Sequence, residues 1–233
     1  MRNVSPNLFC SKKFYRTAII TILFSLPKSL YANFRLFPLK QAIKLPLWVT
    51  YNTKVLISGG VILKGKAKPF MIRIGFHECN ECNPSDKTVL RIDGQLVFEG
   101  EAHIGKGSKL IVYKGSILEL GDNFAISAST TISCRKHIKF GKNIQFSWDC
   151  LVMDSDTHTI FDEQGNRVNP DKEIVFEDKV WIGNGCMILK GAHVPDNCVI
   201  GAKSVVAGNK FDDHSVIVGS PARGVKKIGG FKI

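Results

Sequence analysis

Residues 153–162, MDSDTHTIFD, bring together the side chains of this chain that are best suited to chemistry. One imidazole, His158, follows two carboxylates, Asp154 and Asp156. Such a group can bind a metal ion, act as a general base oriented by an acid, or form a polar turn capped by aspartates. Because an imidazole has an unperturbed pKa of about 6.5, it is largely a free base near neutral pH. The residues alone leave all three interpretations open.

A second cluster of potential ligands is HECNEC, which contains His77, Cys79 and Cys82. A structural zinc site needs four ligands, and this segment has one C-x-x-C spacing without a second pair. The six histidines of the chain lie 21 or more residues apart, so no close pair of histidine ligands exists. We therefore expect loop cysteines here and chemistry that requires no metal. The seven cysteines are odd in number and scattered, which favours reduced thiols in the cytoplasm.

A six-residue repeat indicates which elements position these side chains. From residue 182 the chain reads IGNGCM, ILKGAH, VPDNCV and IGAKSV, so that an apolar residue opens each unit. Neither a helix nor a single strand has a period of six, whereas a short strand followed by a tight turn does. Three such units form one coil of a parallel β-solenoid, and stacked coils bury a column of apolar side chains. The predicted column comprises Ile92, Phe98, Ile104, Leu110, Leu120, Ile126, Ile132, Phe140, Phe146, Val152, Ile182, Ile188, Val194, Ile200 and Val206.

The chain resembles the hexapeptide-repeat acyltransferases and looks most like the sugar O-acetyltransferases of bacterial surface polysaccharides. The resemblance covers most of residues 92–228 and is most specific in FSWDCLVMDSDTH, NPDKEIVFEDKVWIGNGCMILKGAHVPDNCVIGAKSVV and VGSPARGVKKI. It implies an all-β, left-handed parallel β-helix that assembles as a homotrimer with active sites at subunit interfaces. It also implies acetyl transfer from acetyl-CoA, as co-substrate, to a glycan acceptor.

The six-residue interval breaks at residues 153–175, in a polar insertion that contains His158. The resemblance implies that His158 is the general base that takes a proton from the acceptor hydroxyl. Asp156 is the favoured partner for its second ring nitrogen, and a backbone carbonyl would serve equally. Three further polar residues are expected to face the acceptor: Ser127, Asp149 and Asp154. The other five histidines are expected to pack or face solvent, without acid partners.

The resemblance also implies a groove for coenzyme A between neighbouring subunits. Small residues would let its extended arm approach the backbone, and basic residues would meet its phosphates. The residues that match this groove are Trp181, Gly183, Gly201, Ala202, Lys203, Ser204, Arg223 and Lys226. For the lysines, ordinary surface charge is the alternative interpretation.

The N-terminal part of the chain has a distinct charge. Residues 1–73 contain thirteen Lys or Arg and no acid, whereas the remaining 19 basic and 20 acidic residues nearly cancel. The apolar run at residues 18–26 ends at Pro27, short of the ~20 residues that cross a bilayer. We expect short helices here, resting on an anionic membrane surface, with a solvated helical cap as the alternative. No nucleic-acid-binding motif is recognisable, so a nucleic-acid partner is not expected.

These observations predict three regions. Residues 1–50 form a basic, apolar and helical segment, residues 51–218 a β-helix domain with its insertion at 153–175, and residues 219–233 a C-terminal tail. The predicted function is cytoplasmic O-acetylation of a sugar hydroxyl in a surface glycan or its precursor, near the inner face of the membrane. Two alternatives stay open: an N-acetyltransferase for an amino sugar or sugar nucleotide, and a non-catalytic scaffold.

Overall fold

The computed structural model describes residues 12–76, 83, 85–208 and 210–232. The HECNEC segment therefore lies outside the described residues. Two helices come first, α1 (Lys12–Leu36) and α2 (Leu39–Ala42). The strands that follow are β1 (Leu47–Val49), β2 (Lys54–Ile57), β3 (Gly60–Leu63), β4 (Ile72–Phe76), β5 (Val89–Ile92), β6 (Gln95–Phe98), β7 (Ala102–Gly105), β8 (Lys109–Val112), β9 (Ile117–Leu120), β10 (Phe124–Ala128) and β11 (Thr131–Cys134). They continue as β12 (His137–Phe140), β13 (Ile144–Trp148), β14 (Leu151–Met153), β15 (Ile174–Phe176), β16 (Val180–Ile182), β17 (Met187–Leu189), β18 (His193–Val194), β19 (Val199–Ile200), β20 (Val205–Ala207), β21 (Ser215–Gly219) and β22 (Ala222–Lys227).

Successive strands belong to three sheets in turn, which makes each coil of three strands one turn of a parallel β-helix. Sheet A has the order β1-β4-β7-β10-β13-β16-β19-β21-β22, sheet B the order β2-β5-β8-β11-β14-β17-β20, and sheet C the order β3-β6-β9-β12-β15-β18. Within each sheet the neighbouring strands are parallel, except that β21 and β22 form an antiparallel hairpin. The predicted all-β parallel solenoid is therefore confirmed.

The interior of the β-helix is the predicted apolar column. All fifteen of its residues are at most 2% exposed. Equivalent residues of successive coils lie directly over one another, as Phe146 does with Ile182 and Ile182 with Ile200 in sheet A. Four phenylalanines fill the middle of the column, with ring centroids 5.1 to 6.4 Å apart in the contacting pairs: Phe124, Phe140, Phe146 and Phe176. Stacking of coils thus buries what no single coil could bury.

The inner corner between sheets A and B carries one small hydroxyl or thiol in each coil. Its members, each at most 3% exposed, are Thr53, Thr88, Ser108, Thr130, Cys150, Cys186 and Ser204. The thiols of Cys150 and Cys186 donate to backbone carbonyls, at 3.2 Å to Gly183 and 3.1 Å to Gly201. All four cysteines within the described ranges are free and buried. Burial raises the pKa of the Cys134 thiol to about 12, so this cysteine is an unreactive packing residue.

Helix α1 covers the open end of the β-helix through a polar stripe. Ser29 Oγ accepts from the Val49 N–H at 2.9 Å, and the Asn33 side chain bonds both the N–H and the C=O of Leu47, at 3.1 and 2.7 Å. Ser25 extends the stripe by one turn and accepts from the Tyr51 N–H at 3.0 Å. Because β1 is an outer strand of sheet A, these side chains bond edge groups that would otherwise lack partners.

The N-terminal region differs from the expected short helices and from the boundary at residue 51. α1 runs for 25 residues through Pro27, and β1 begins the β-helix at Leu47. Proline removes one helical hydrogen bond, but Ser25 and Ser29 tie α1 to β1 on both sides of it. Among the described residues, no helix is both long and apolar enough to cross a bilayer.

Candidate active site

The insertion is a hairpin-like arm, residues 154–173, between β14 of sheet B and β15 of sheet C. The Val168 N–H donates to the Ile160 carbonyl at 2.9 Å, and Phe161 pairs with Arg167 in an antiparallel bridge. β14 still pairs with β17, and β15 with β12, in the regular register. The arm therefore projects from the B/C corner without disturbing the coils.

Asp154, the first residue of the arm, is fully buried and corrects one prediction. Its carboxylate accepts three backbone N–H bonds from the preceding coil, from Arg135 at 2.7 Å and from Lys136 and His137 at 2.8 Å. A carboxylate that is enclosed and satisfied in this way cannot reach an acceptor sugar. Asp154 instead anchors the base of the arm to the coil beneath it.

Asp156 and Asn169 hold the middle of the arm together. The Asn169 amide donates to the Asp156 carboxylate and to the His158 carbonyl, both at 2.8 Å, and its oxygen accepts from the Ile160 N–H at 2.7 Å. The ammonium of Lys190 also binds Asp156. The hydrogen bond with Lys190 is the main cause that holds the pKa of Asp156 below its usual value, and the bond with Asn169 is the second cause. Asn169 was not among the predicted residues, although an asparagine before a proline inside a polar insertion was a visible signal.

His158 itself is exposed on the arm. Within the described part of the chain its ring makes no hydrogen bond, and its carbonyl accepts from the Asn169 amide. The predicted bond from Asp156 to the imidazole is thus not formed in the single chain, because Lys190 and Asn169 occupy that carboxylate. The arm fixes the backbone of His158 and leaves its side chain exposed.

Replacing Asn169 by alanine is expected to loosen the arm without unfolding the β-helix. Asn169 is only 7% exposed and provides three of the hydrogen bonds that hold residues 156–160. Amide hydrogen exchange should increase across the arm and stay unchanged in the coils, with lower kcat in an acyl-transfer assay. Gln95→Ala is the matched control, since its amide side chain lies on sheet C, three coils from the arm, and forms no hydrogen bond within the described residues. Unchanged exchange in the arm would show that Asn169 does not position it.

The second group of predicted residues lies at the corner between sheets A and B. Backbone bonds stack this corner from coil to coil, from Gly183 N to Ile200 O and from Gly201 N to Ile217 O, both at 2.8 Å. The predicted residues found at or next to this corner are Ser127, Asp149, Gly183, Gly201, Ala202, Lys203, Ser204 and Arg223. Successive coils thus place them in a row parallel to the axis of the β-helix.

Two members of this row have structural roles. A Cβ on Gly183 would lie 2.7 Å from the Ala202 nitrogen, so close stacking requires the glycine. Ser204 is fully buried, and its hydroxyl donates to Gly201 O at 2.7 Å and accepts from Gly219 N at 3.1 Å. The prediction that the Ser204 side chain binds a cofactor is therefore corrected, because that side chain faces the interior.

The remaining members of the row are accessible. Ala202, Lys203, Asp149 and Arg223 are exposed. Ser127 is half-buried, and its hydroxyl donates to the Phe146 carbonyl at 3.1 Å. This leaves small residues, backbone and two cations at the surface of one corner, which suits an extended ligand that carries phosphates.

Trp181 and Lys226 lie on sheet A, away from this row. Trp181 is 42% exposed on the outer face, and its indole N–H donates to Ser147 Oγ at 3.3 Å. Lys226 pairs with Val216, near the end of the β21–β22 hairpin that is remote from the A/B corner. It lines a separate pocket of about 390 Å³. The structure therefore does not bring Lys226 together with Arg223.

Acid–histidine pairs occur where none was expected, on the outer face of sheet C. His137 Nε2 lies 2.9 Å from a carboxylate oxygen of Glu119, and His193 Nε2 lies 3.1 Å from one of Glu177. The hydrogen bond with His137 lowers the pKa of Glu119, and Lys64 lowers it further by a smaller amount. These partners are one coil apart, a spacing that a search for nearby acids misses. In the described ranges, no group of three or more His, Cys, Asp or Glu is placed to hold a metal ion.

The two groups of predicted residues do not meet within one chain. The arm with His158 leaves the B/C corner, whereas the row with Gly183 and Lys203 follows the A/B corner, and the width of sheet B separates them. A single chain therefore presents the two groups on two edges of one sheet.

Comparisons with known proteins agree with the fold and the repeat. The chain is 29% identical over 118 residues to galactoside O-acetyltransferase of Lactococcus lactis, covering 50% of this chain and 53% of the relative. It is 24% identical over 148 residues to an O-acetyl transferase of Escherichia coli named for lipopolysaccharide biosynthesis, covering 59% and 74%. An acetyltransferase of Mycobacterium tuberculosis is 30% identical over 143 residues, or 57% of this chain and 44% of the relative. The chain thus spans about half the length of two of these curated relatives. No family model matches it.

Among solved structures, the crystal structure of NeuO, a polySia-specific acetyltransferase, aligns with a TM-score of 0.53 at 20% identity. The alignment covers 78% of this chain and 89% of NeuO. This similarity confirms the left-handed parallel β-helix that was expected from the sequence. By sequence and fold, the chain is related to the hexapeptide-repeat acyltransferases, with sugar O-acetyltransferases among its relatives.

Proposed function

We propose that the protein transfers an acetyl group from acetyl-CoA to a sugar hydroxyl, with His158 as the general base. The observation that carries this proposal is the exposed imidazole of His158 on the arm. The backbone carbonyl of His158 is held by the side chain of the buried Asn169, and the arm projects from a β-helix like that of acetyltransferases. An accessible imidazole on a fixed backbone is what a base needs in order to meet an incoming hydroxyl.

The proposed chemistry uses His158 twice. One ring nitrogen accepts the proton of the acceptor hydroxyl while that oxygen attacks the thioester carbonyl carbon, and the imidazolium then returns the proton to the departing thiolate sulfur. Acetyl-CoA supplies the activated acyl group. Exposed Lys203 and Arg223 would meet its phosphates, and backbone N–H groups of the A/B corner near Ala202 would stabilise the developing oxyanion. Ser127 and Asp149 are the proposed contacts to the acceptor.

Sheet B supports a homotrimer in which neighbouring chains complete the site. The outer face of its C-terminal half is apolar and without charge, and consists of Leu151, Met153, Met187, Leu189 and Val205. Packing three copies around this face would place the B/C corner of one chain beside the A/B corner of the next. The exposed apolar side chains of the arm, Ile160, Phe161 and Val168, would then contact the neighbour.

The acceptor in this proposal is a bacterial surface glycan or its precursor, at the cytoplasmic face of the membrane. It rests on the named activities of the relatives and on the basic charge of residues 1–73. The same fold and base would also serve an N-acetyltransferase for an amino sugar or a sugar nucleotide. A scaffold without activity is the third candidate, and the accessible His158 argues against it.

An assay of coenzyme A release tests the proposal. The full chain with acetyl-CoA should release thiol in proportion to an added oligosaccharide acceptor, and mild alkali should remove the acetyl group from the product, because an ester is labile where an amide is not. An alkali-stable product on an amino sugar would establish the N-acetyltransferase instead. If calorimetry detected no coenzyme A binding, the result would favour the third candidate, a scaffold without activity.

A further inference from the structure

Helix α1 packs on the β-helix through its polar face. Ser25, Ser29 and Asn33 lie four residues apart, on the single face that bonds β1. The opposite face is apolar and uncovered, and we call it the outer α1 face. Its exposed fractions run from 38% at Leu30 to 69% at Tyr31, and its members are Leu23, Phe24, Leu26, Leu30, Tyr31 and Phe34.

An arrangement of this kind is the reverse of an ordinary surface helix, which buries its apolar face in the protein. Here the Ser29 hydroxyl and the Asn33 amide of the polar stripe are hydrogen-bonded to the β1 backbone. The apolar side chains consequently point away from the fold. A contiguous exposed apolar face of this size is typical of an interaction surface.

The charges around the outer α1 face identify its partner. Residues 1–77 contain no Asp or Glu. The two helices and the first coil, β1 to β3, therefore carry no negative side chain. Arg35, Lys40 and Lys44 are exposed and form no ion pair within the described residues. α2 and the residue after it add two more uncovered apolar side chains beside these lysines, Leu39 at 68% and Ile43 at 62% exposed.

We propose that the outer α1 face docks on an anionic lipid bilayer, with α1 lying in the plane of the headgroups. The apolar side chains enter the headgroup–acyl boundary, and the neighbouring cations meet lipid phosphates. α1 is unsuited to crossing the bilayer, since within the described residues no helix qualifies as a span. A second copy of the chain would bring one acid-free surface against another, whereas an anionic membrane complements the charge.

This inference specifies the surface and the lipid chemistry for the membrane placement in the proposed function, and it is independent of acetyl transfer. In sedimentation assays, the full chain should bind vesicles that contain phosphatidylglycerol at low salt and should bind pure phosphatidylcholine vesicles weakly. The double variant Phe24→Ser, Phe34→Ser should lower the vesicle partition coefficient by about tenfold or more. Lys40→Glu with Lys44→Glu should lower it by about fivefold or more for each charge reversed.

Matched variants on other surfaces serve as controls. Ile62→Ser with Ile117→Ser removes two apolar side chains of sheet C that are 42% and 38% exposed, and Lys114→Glu with Lys139→Glu reverses two exposed lysines elsewhere. Both controls should bind vesicles as the parent protein does. All variants should keep the parent's rate on a soluble acceptor without vesicles. A parent protein that binds vesicles but releases no coenzyme A would count against the proposed function alone.

Two results would overturn the docking proposal. One is failure of the parent protein to bind phosphatidylglycerol vesicles at low salt. The other is a change in oligomeric state, measured by sedimentation, in the Phe24→Ser, Phe34→Ser variant with unchanged vesicle binding, which would assign the outer α1 face to a second copy of the chain.

Discussion

Replacing His158 by alanine is expected to lower the rate of acetyl transfer by about 10²- to 10⁴-fold, the usual contribution of positioned proton transfer. The substitution removes an exposed ring that forms no hydrogen bond in the described part of the chain, so the thermal unfolding temperature should hardly change. Initial rates of coenzyme A release at saturating acetyl-CoA measure the first effect, and circular dichroism melting measures the second.

His193→Ala is the matched control for this experiment. His193 is also largely exposed, with 61% of its side chain accessible, but it lies on sheet C beside Glu177. Its removal should leave the rate of transfer within a factor of about two, as for surface changes away from the chemistry. Full activity of His158→Ala would assign the base to another group, and equal losses in both variants would point to a general effect on the assembly.

Replacing Asp154 by alanine is expected to destabilise the protein by about 3–5 kcal/mol, because it leaves three backbone N–H groups of the B/C corner without their charged acceptor. All three donors belong to residues 135–137, and the carboxylate that binds them is fully buried. Chemical denaturation of the variant and the parent measures the difference in free energy of unfolding. The arm begins at this residue, so acetyl transfer should also fall.

Two further variants make the Asp154 experiment specific. Asp212→Ala removes a carboxylate whose side chain is 82% exposed and should change the free energy of unfolding by less than about 0.5 kcal/mol. Asp154→Asn keeps the shape but turns one acceptor oxygen into a donor that faces backbone N–H groups, so it should recover only part of the loss. A stable Asp154→Ala protein with normal exchange at residues 135–137 would contradict the anchoring role.

The core of the fold was predictable because it depends on a strict interval. Each apolar residue of the repeat, from Ile92 to Val206, falls at an interior position, and the break in the interval marks where the arm departs. Burial of a continuous column is the dominant favourable energy of a solenoid, so residue type and period are sufficient to locate it.

The assignment of polar residues to the site was less predictable, and the reason is geometric. Asp154 and Ser204 have the residue types of a binding site, but both face inward at a corner. Asp154 there bonds backbone groups of the preceding coil, and Ser204 bonds those of its own and the next coil. The six-residue interval alone does not distinguish an aspartate whose side chain points to solvent from one whose side chain points into the β-helix. The bond that fixes Asn169 to His158 spans eleven residues and depends on how the arm folds back.

The N-terminal helix shows the same limit. Its composition indicated a basic, apolar segment, whereas the stripe of Ser25, Ser29 and Asn33 decides which side faces the protein. The four-residue spacing of that stripe is visible in the sequence. Its meaning depends on an unpaired strand edge that only the tertiary structure supplies.

Closure of the two ends of sheet A has a consequence for solubility. A parallel β-helix is a template that could grow by adding coils of another molecule, as fibrils do. At the N-terminal end the side chains of α1 take the place of an incoming strand along β1. At the other end the chain doubles back, and its last strand, β22, presents Arg223, Lys226 and Lys227. Both outer edges of sheet A are therefore occupied or charged, which disfavours the addition of a strand from another molecule to this sheet.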